Sequence, residues 1–103
     1  MHTKFVTTSK LKTSNLFDGK DFYTWSFEFE LLATTAKIWT YYDGTLTFPT
    51  EGTPQENSIF YHESLLAYNV LLRNLSPTKQ LGIRSFKMEW APAQDSWEYL
   101  RNM

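Results

Sequence analysis

Apolar side chains between residues 21 and 36 recur at intervals of three and four, which is the spacing of one face of an α-helix. This face comprises Phe22, Trp25, Phe29, Leu32, Ala33 and Ala36, and it is expected to be widened on one side by Tyr23, Phe27 and Leu31. Gly19 can adopt the positive φ of a turn, and Asp21 can accept hydrogen bonds from the first turn of a helix. The pattern therefore predicts a turn at residue 19 and a first helix over residues 21–36.

Proline marks the start of three further predicted helices, because its missing N–H is not needed in a first helical turn. The second helix is expected over residues 54–75, with Thr53 as its N-cap. Its apolar residues lie on almost every side, which is typical of a central helix. Its polar gaps are Glu63, Asn69 and Arg73, which are expected to mark its most exposed edge.

The third helix is predicted over residues 77–86, with Ser76 as its cap and with Leu81 and Phe86 facing inward. Gly82 weakens this helix by about 1 kcal/mol relative to alanine. A last helix is expected from residue 92 to the end of the chain. Its inward face is formed by Ala93, Trp97 and Leu100, and Trp90 is expected to pack onto its start.

Two segments lack a helical period. Residues 1–15 are polar and are expected to form an extended or flexible arm, in which residues 5–8 have the character of a short strand. Residues 44–55 contain two glycines and two prolines, which predicts a surface loop that is often a contact element. The predicted fold class is all-α: a compact bundle of about four to five helices over residues 16–103, preceded by the arm.

The composition restricts the classes of function that this chain can have. The chain has 103 residues and a net charge of −1 with scattered basic residues, which argues against nucleic-acid binding by this segment. It contains no cysteine, so disulfides, thiolate metal sites and cysteine nucleophiles are excluded. Neither a signal peptide nor an apolar run of membrane-spanning length is apparent. These features are expected of a soluble, intracellular protein without a cofactor.

Short catalytic motifs are present only in fragments. Ser76 and Lys79 match the Ser-x-x-Lys pattern of serine acyl enzymes, but the companion motifs are missing and a helix cap explains the same residues. His62-Glu63 is similar to part of a metalloprotease helix, but leucine stands where the second histidine is needed. Glu28 and Glu30 point about 200° apart on a helix and cannot act on one atom.

Two other patterns have a structural and a functional interpretation. Asn74-Leu75-Ser76 fits a glycosylation sequon, which is expected to be accidental without a secretory signal. The chain has 4 tryptophans, which could form a ligand-binding box. Aromatic residues at helical spacing more often form the core. No convergent set of polar residues for catalysis is recognisable, so an enzyme is not expected.

The stretch Leu16-Phe17-Asp18-Gly19-Lys20-Asp21-Phe22-Tyr23-Thr24-Trp25, followed by Ile38-Trp39, Asp43-Gly44 and Pro49, resembles the N-terminal part of Gag polyproteins of copia-type LTR retrotransposons. The resemblance extends over residues 11–103, to a helix that ends in Leu75-Ser76 and an Ala-x-x-x-Trp-x-x-Leu ending at residue 100. The motif positions are Leu16, Gly19, Phe22, Trp25, Phe29, Leu32, Trp39, Gly44, Leu71, Leu75, Trp97 and Leu100. Asp21-Phe22 replaces the usual Asn-Tyr, which indicates a diverged or domesticated copy.

The resemblance implies a capsid N-terminal lobe that self-associates into cytoplasmic virus-like particles enclosing element RNA. The implied partners are other copies of the chain and a C-terminal capsid lobe of the same polyprotein, with RNA bound through other Gag regions. The chain is expected to be an isolated lobe of a longer protein. The alternative is a domesticated adaptor that binds a peptide or partner protein in a hydrophobic groove.

Overall fold

The computed structural model describes residues 11–46, 51–88 and 91–102. Within these ranges the chain folds into four helices: α1 (Phe22–Thr35), α2 (Pro54–Arg73), α3 (Pro77–Ile83) and α4 (Pro92–Arg101). A 3₁₀ turn (Trp39–Tyr41) follows α1, and a second (Arg84–Met88) continues α3. The predicted all-α class and the compact bundle of about four to five helices are confirmed. The predictions for residues 1–10, for part of the 44–55 loop and for Trp90 fall on residues outside the described ranges.

The start of α1 has the predicted turn and cap. Gly19 has a φ of 103°, and the Asp21 carboxylate accepts a hydrogen bond from the Thr24 N–H at 3.3 Å. A Cβ atom on Gly19 would come within 2.6 Å of Lys79 Cε, but the end of that flexible side chain can move, so the positive φ is the reason that the turn needs glycine. Asp21 itself has a φ of 52°, a left-handed conformation that aspartate tolerates better than most residues.

Thr53 is the N-cap of α2, as the sequence predicts, and it forms a capping box with Glu56. Thr53 Oγ1 accepts from the Glu56 N–H at 3.1 Å, and the Glu56 carboxylate accepts from the Thr53 N–H at 2.9 Å. These two bonds satisfy N–H groups that have no partner within the helix. The predicted exposed edge of α2 is wrong at two of its three residues: Glu63 and Asn69 are half-buried, and Arg73 is exposed. Glu63 accepts a hydrogen bond from the Tyr41 hydroxyl, which holds it against the body of the lobe.

The third helix is shorter than predicted and turns a different residue inward. It ends at Ile83, which is fully buried, whereas Leu81 is 63% exposed. Residues two apart point about 200° from each other on a helix, so only one of the two can face the core. Ser76 occupies the N-cap position, but its side chain makes no capping hydrogen bond.

Trp97 of α4 is the centre of the aromatic core. Its ring centroid lies 5.2–6.1 Å from five other rings, which are those of Phe22, Trp25, Phe29, Trp39 and Tyr42. The inward stripe of α1 therefore packs on the last helix. Tyr42 supplies a link to α2, since its hydroxyl donates to the Ala67 carbonyl oxygen at 2.5 Å.

The segment from Leu11 to Phe17 is tied to the end of α2 by the buried side chain of Asn74. Asn74 Oδ1 accepts from the Thr13 N–H at 2.7 Å, and Asn74 Nδ2 donates to the carbonyl oxygens of Leu11 and Val70 at 3.0 and 2.8 Å. The Trp25 indole N–H donates to Thr13 Oγ1 at 3.3 Å. The last part of the predicted arm thus belongs to the packed lobe.

A short parallel bridge completes this attachment. The Phe17 N–H donates to the Asn74 carbonyl oxygen, and the Phe17 carbonyl oxygen accepts from the Ser76 N–H, both at 2.9 Å. Phe17 is buried as a result, and Leu16, beside it, points outward and is 44% exposed. Alternate residues of an extended segment face opposite sides, which explains why Phe17 is buried while Leu16 is exposed.

We expect the substitution Asn74→Ala to destabilise the fold by at least about 2 kcal/mol, because it leaves two or more buried polar groups without a partner and each costs about 1–3 kcal/mol. Urea unfolding followed by circular dichroism measures this change. Asn102→Ala is the matched control, since Asn102 is exposed. An equal, small effect of both substitutions would contradict a structural role for the Asn74 amide.

Three tyrosines make the stability sensitive to alkali. Burial raises the pKa of Tyr42 and of Tyr68, and burial together with the hydrogen bond to Glu63 raises the pKa of Tyr41. A tyrosine in the unfolded chain ionises near pH 10. The stabilisation that comes from each raised tyrosine pKa is therefore complete below about pH 10 and is lost as the pH rises toward the pKa in the folded chain. Above pH 10, Tyr42 ionises in the unfolded chain but stays protonated in the folded one. We expect this difference to lower the free energy of unfolding by about 1.4 kcal/mol per pH unit.

Urea titrations between pH 8 and about 12 test this expectation when the parent chain is compared with Tyr42→Phe. The phenylalanine variant should have the shallower pH dependence above about pH 10, because one raised tyrosine pKa has been removed. Two parallel curves would contradict the assignment.

Candidate functional site: the outer face of α1 and the groove beside it

The side of α1 that faces away from the core is apolar. Tyr23, Phe27 and Leu31 are 86%, 65% and 54% exposed, and together they form what we term the outer stripe. The expectation that they widen the core face is wrong. Each precedes by two positions a buried residue (Trp25, Phe29 or Ala33), which places it about 200° round the helix from that residue. The spacing of four between its members keeps the stripe on one line.

A groove of about 570 Å³ lies between α1 and α4, next to the outer stripe. It is lined by Phe22, Tyr23, Ser26, Glu30, Trp39, Trp97 and Arg101. Tyr23 belongs to both surfaces, so the groove and the outer stripe form one continuous region. Four of the seven lining residues are aromatic, and the other three, Ser26, Glu30 and Arg101, are polar, with one charge of each sign. Sites that take a side chain or a small ligand combine apolar walls with polar groups that fix its orientation.

The tryptophans divide between core and groove. Trp25 is 7% and Trp97 6% exposed, so both are core residues, and Trp39 is half-buried with its ring 5.2 Å from that of Trp97. The three tryptophans within the described residues therefore lie in one aromatic cluster whose open side faces the groove. The core interpretation holds for Trp25 and Trp97, and Trp39 also forms part of the groove wall.

The motif residues singled out in the sequence fall into three groups. Buried are Trp25, Phe29, Leu71, Leu75, Trp97 and Leu100; half-buried are Phe22, Leu32, Trp39 and Gly44; exposed are Leu16 and Gly19. Most of them therefore shape the core, and three of them (Phe22, Trp39 and Trp97) also line the groove. The motif does not contain Phe27 or Leu31, which the structure places on the surface.

The fragmentary catalytic motifs are not assembled into a site. Lys79 extends over Gly19, and His62 is exposed with its Nδ1 atom 2.8 Å from the Ser58 carbonyl oxygen in its own helix. Glu28 accepts hydrogen bonds from the Ser14 N–H and hydroxyl at 2.7 and 2.9 Å. Among the described residues there is no group of three or more His, Asp or Glu side chains that could hold a metal ion.

The Asn74 side chain of the sequon has a structural role in the folded lobe. The side chain is fully buried and both of its polar atoms are hydrogen-bonded, so a glycan cannot be attached to it in the folded lobe. In the described part of the chain, no helix has the length and apolar character needed to cross a membrane.

The signal for the outer stripe is present in the sequence but is easily misread. Nine apolar or aromatic residues lie between positions 22 and 36, and a helical wheel divides them into two opposed groups rather than one wide face. The groove has no such signal, because α1 and α4 come together only in the folded chain. No protein-family model matches this sequence, and no curated protein or solved structure matches it either.

Proposed function

We propose that the chain is a structural protein: the N-terminal capsid lobe of a copia-type retrotransposon Gag, or of a domesticated descendant. In this function, copies of the lobe associate in the cytoplasm to build virus-like particles that enclose element RNA. The partners are other copies of the chain and the C-terminal capsid lobe of the same polyprotein, and RNA is held through other Gag regions. The proposal is supported by the motif resemblance and by a compact helical bundle of the kind that the resemblance implies.

The observation that carries the proposal is the outer stripe. Tyr23 and Phe27 are large, apolar and mostly exposed, and they contribute little to the stability of a single lobe. Contiguous exposed apolar surface on a small protein marks an interaction site more often than chance exposure does. An assembly module needs such surfaces, with weak individual contacts that add up through many copies.

We expect the purified chain to associate reversibly. Light scattering coupled to size exclusion should give the single-chain mass of 12.2 kDa at micromolar concentration and a rising average mass toward millimolar concentration. Sodium sulfate should strengthen the association, because it favours burial of apolar surface. Dilution should restore the single-chain mass, which separates assembly from aggregation. A single-chain mass under every condition would overturn the proposal.

The groove favours a second candidate function, a domesticated adaptor that binds a peptide. Its aromatic walls suit an apolar side chain, and the Arg101 guanidinium suits a neighbouring carboxylate. An extended peptide carrying a phenylalanine next to an aspartate is the simplest ligand of this chemistry.

We expect a short Phe-Asp peptide to shift the indole NMR signals of Trp39 and Trp97 if the adaptor function is correct. Ser26→Trp is the blocking variant, because Ser26 lines the groove and a large side chain there would fill it. Thr34→Trp is the matched control on an exposed part of α1 outside the groove. Unchanged signals in the parent chain at millimolar peptide would exclude this peptide chemistry.

A further inference from the structure

The outer stripe has a size that fits a weak contact between proteins. An exposed aromatic side chain offers about 150–250 Å² of surface, so the exposed fractions of the three residues correspond to on the order of 400 Å² per copy. A stable protein interface buries about 800 Å² per partner. The stripe alone is therefore too small for a permanent complex and is large enough for a weak, reversible one.

The charges around the stripe also restrict its occupant. Within α1 the charged residues are Glu28 and Glu30, and they lie on opposite flanks of the stripe. Glu28 is held by Ser14, and Glu30 borders the groove that also contains Arg101. The centre of the stripe carries no charge, so it favours an uncharged apolar partner surface. The outer stripe of a second copy is such a surface.

We propose that the outer stripes of two copies pack together antiparallel, with a two-fold axis that passes beside Phe27. The inference rests on the proposed self-association and adds the surface and the symmetry of one contact. Phe27 then faces Phe27 of the second copy. Tyr23 and Leu31 lie four residues to either side, about 6 Å along the helix axis, so Tyr23 is level with Leu31 of the second copy.

The two-fold axis fixes the level of the acidic residues. Glu30 is level with Thr24 of the second copy, and Glu28 is level with Ser26. The two Glu28 residues lie on the same flank, about 3 Å apart along the helix axes, and each carboxylate is hydrogen-bonded to Ser14 of its own copy. The helix dipoles run in opposite directions, which is more favourable than a parallel pair. The two-fold contact closes at two copies, so a larger assembly needs a second, different contact.

The absence of native cysteine allows a direct test by disulfide trapping. Facing helices pack with their helix axes 8–10 Å apart. This separation brings the two Cα atoms of a residue that lies at the two-fold axis into the 4.4–6.8 Å range of a disulfide. Phe27→Cys should therefore cross-link to itself under mild oxidation. Tyr23→Cys should cross-link poorly with itself and well with Leu31→Cys when the two variants are mixed. Leu81→Cys is the matched control, since Leu81 is an exposed apolar residue of α3.

We expect Phe27→Cys to cross-link at least about tenfold faster than Leu81→Cys at equal concentration, because pre-association raises the effective thiol concentration. Equal rates would overturn the contact while leaving any self-association of the parent chain intact. Rapid cross-linking of Tyr23→Cys with itself would overturn the antiparallel arrangement. Thermal unfolding of each reduced variant confirms that it is folded. A parent chain that never associates would instead overturn the proposed function as well.

Discussion

The rest of the lobe depends on the side chain of Asn74. Its amide closes the end of α2 through the Val70 carbonyl oxygen and binds the backbone of residues 11 and 13. Because Thr13 in turn accepts from the Trp25 indole, one buried network connects the N-terminal segment, the first helix and the end of the second. Such a network has its full effect only when every member has a partner, so it specifies a single arrangement of these segments.

The aromatic core is built on the position that this network gives to Trp25. Phe17, Trp25 and Phe29 follow one another at ring distances of 5.0 and 5.3 Å, and Trp97 joins them from the opposite side. Trp97 therefore connects the first and last helices, which are far apart in the sequence. The space left beside these rings, between α1 and α4, is the groove. Core packing and the candidate site thus share the same side chains.

The exposed surface follows from the same geometry. Once Trp25, Phe29 and Ala33 face the core, the residues two positions before each of them must face solvent. Tyr23 then lies where the outer stripe meets the groove, so a partner on one surface would affect access to the other. A second copy of the lobe and a bound peptide would consequently compete for Tyr23. This shared residue connects the two candidate functions.

The sequence by itself determined the helices and their starts. Asp21, Thr53 and the prolines at positions 54, 77 and 92 act on their nearest neighbours, and the structure confirms those starts. Only the tertiary structure decided which residues of α1 and α3 face inward, where the first stripe packs and what Asn74 does. Those outcomes depend on contacts between residues as far apart in the sequence as Phe22 and Trp97, and local pattern carries no information about such contacts. The groove beside Tyr23 belongs to this second group for the same reason.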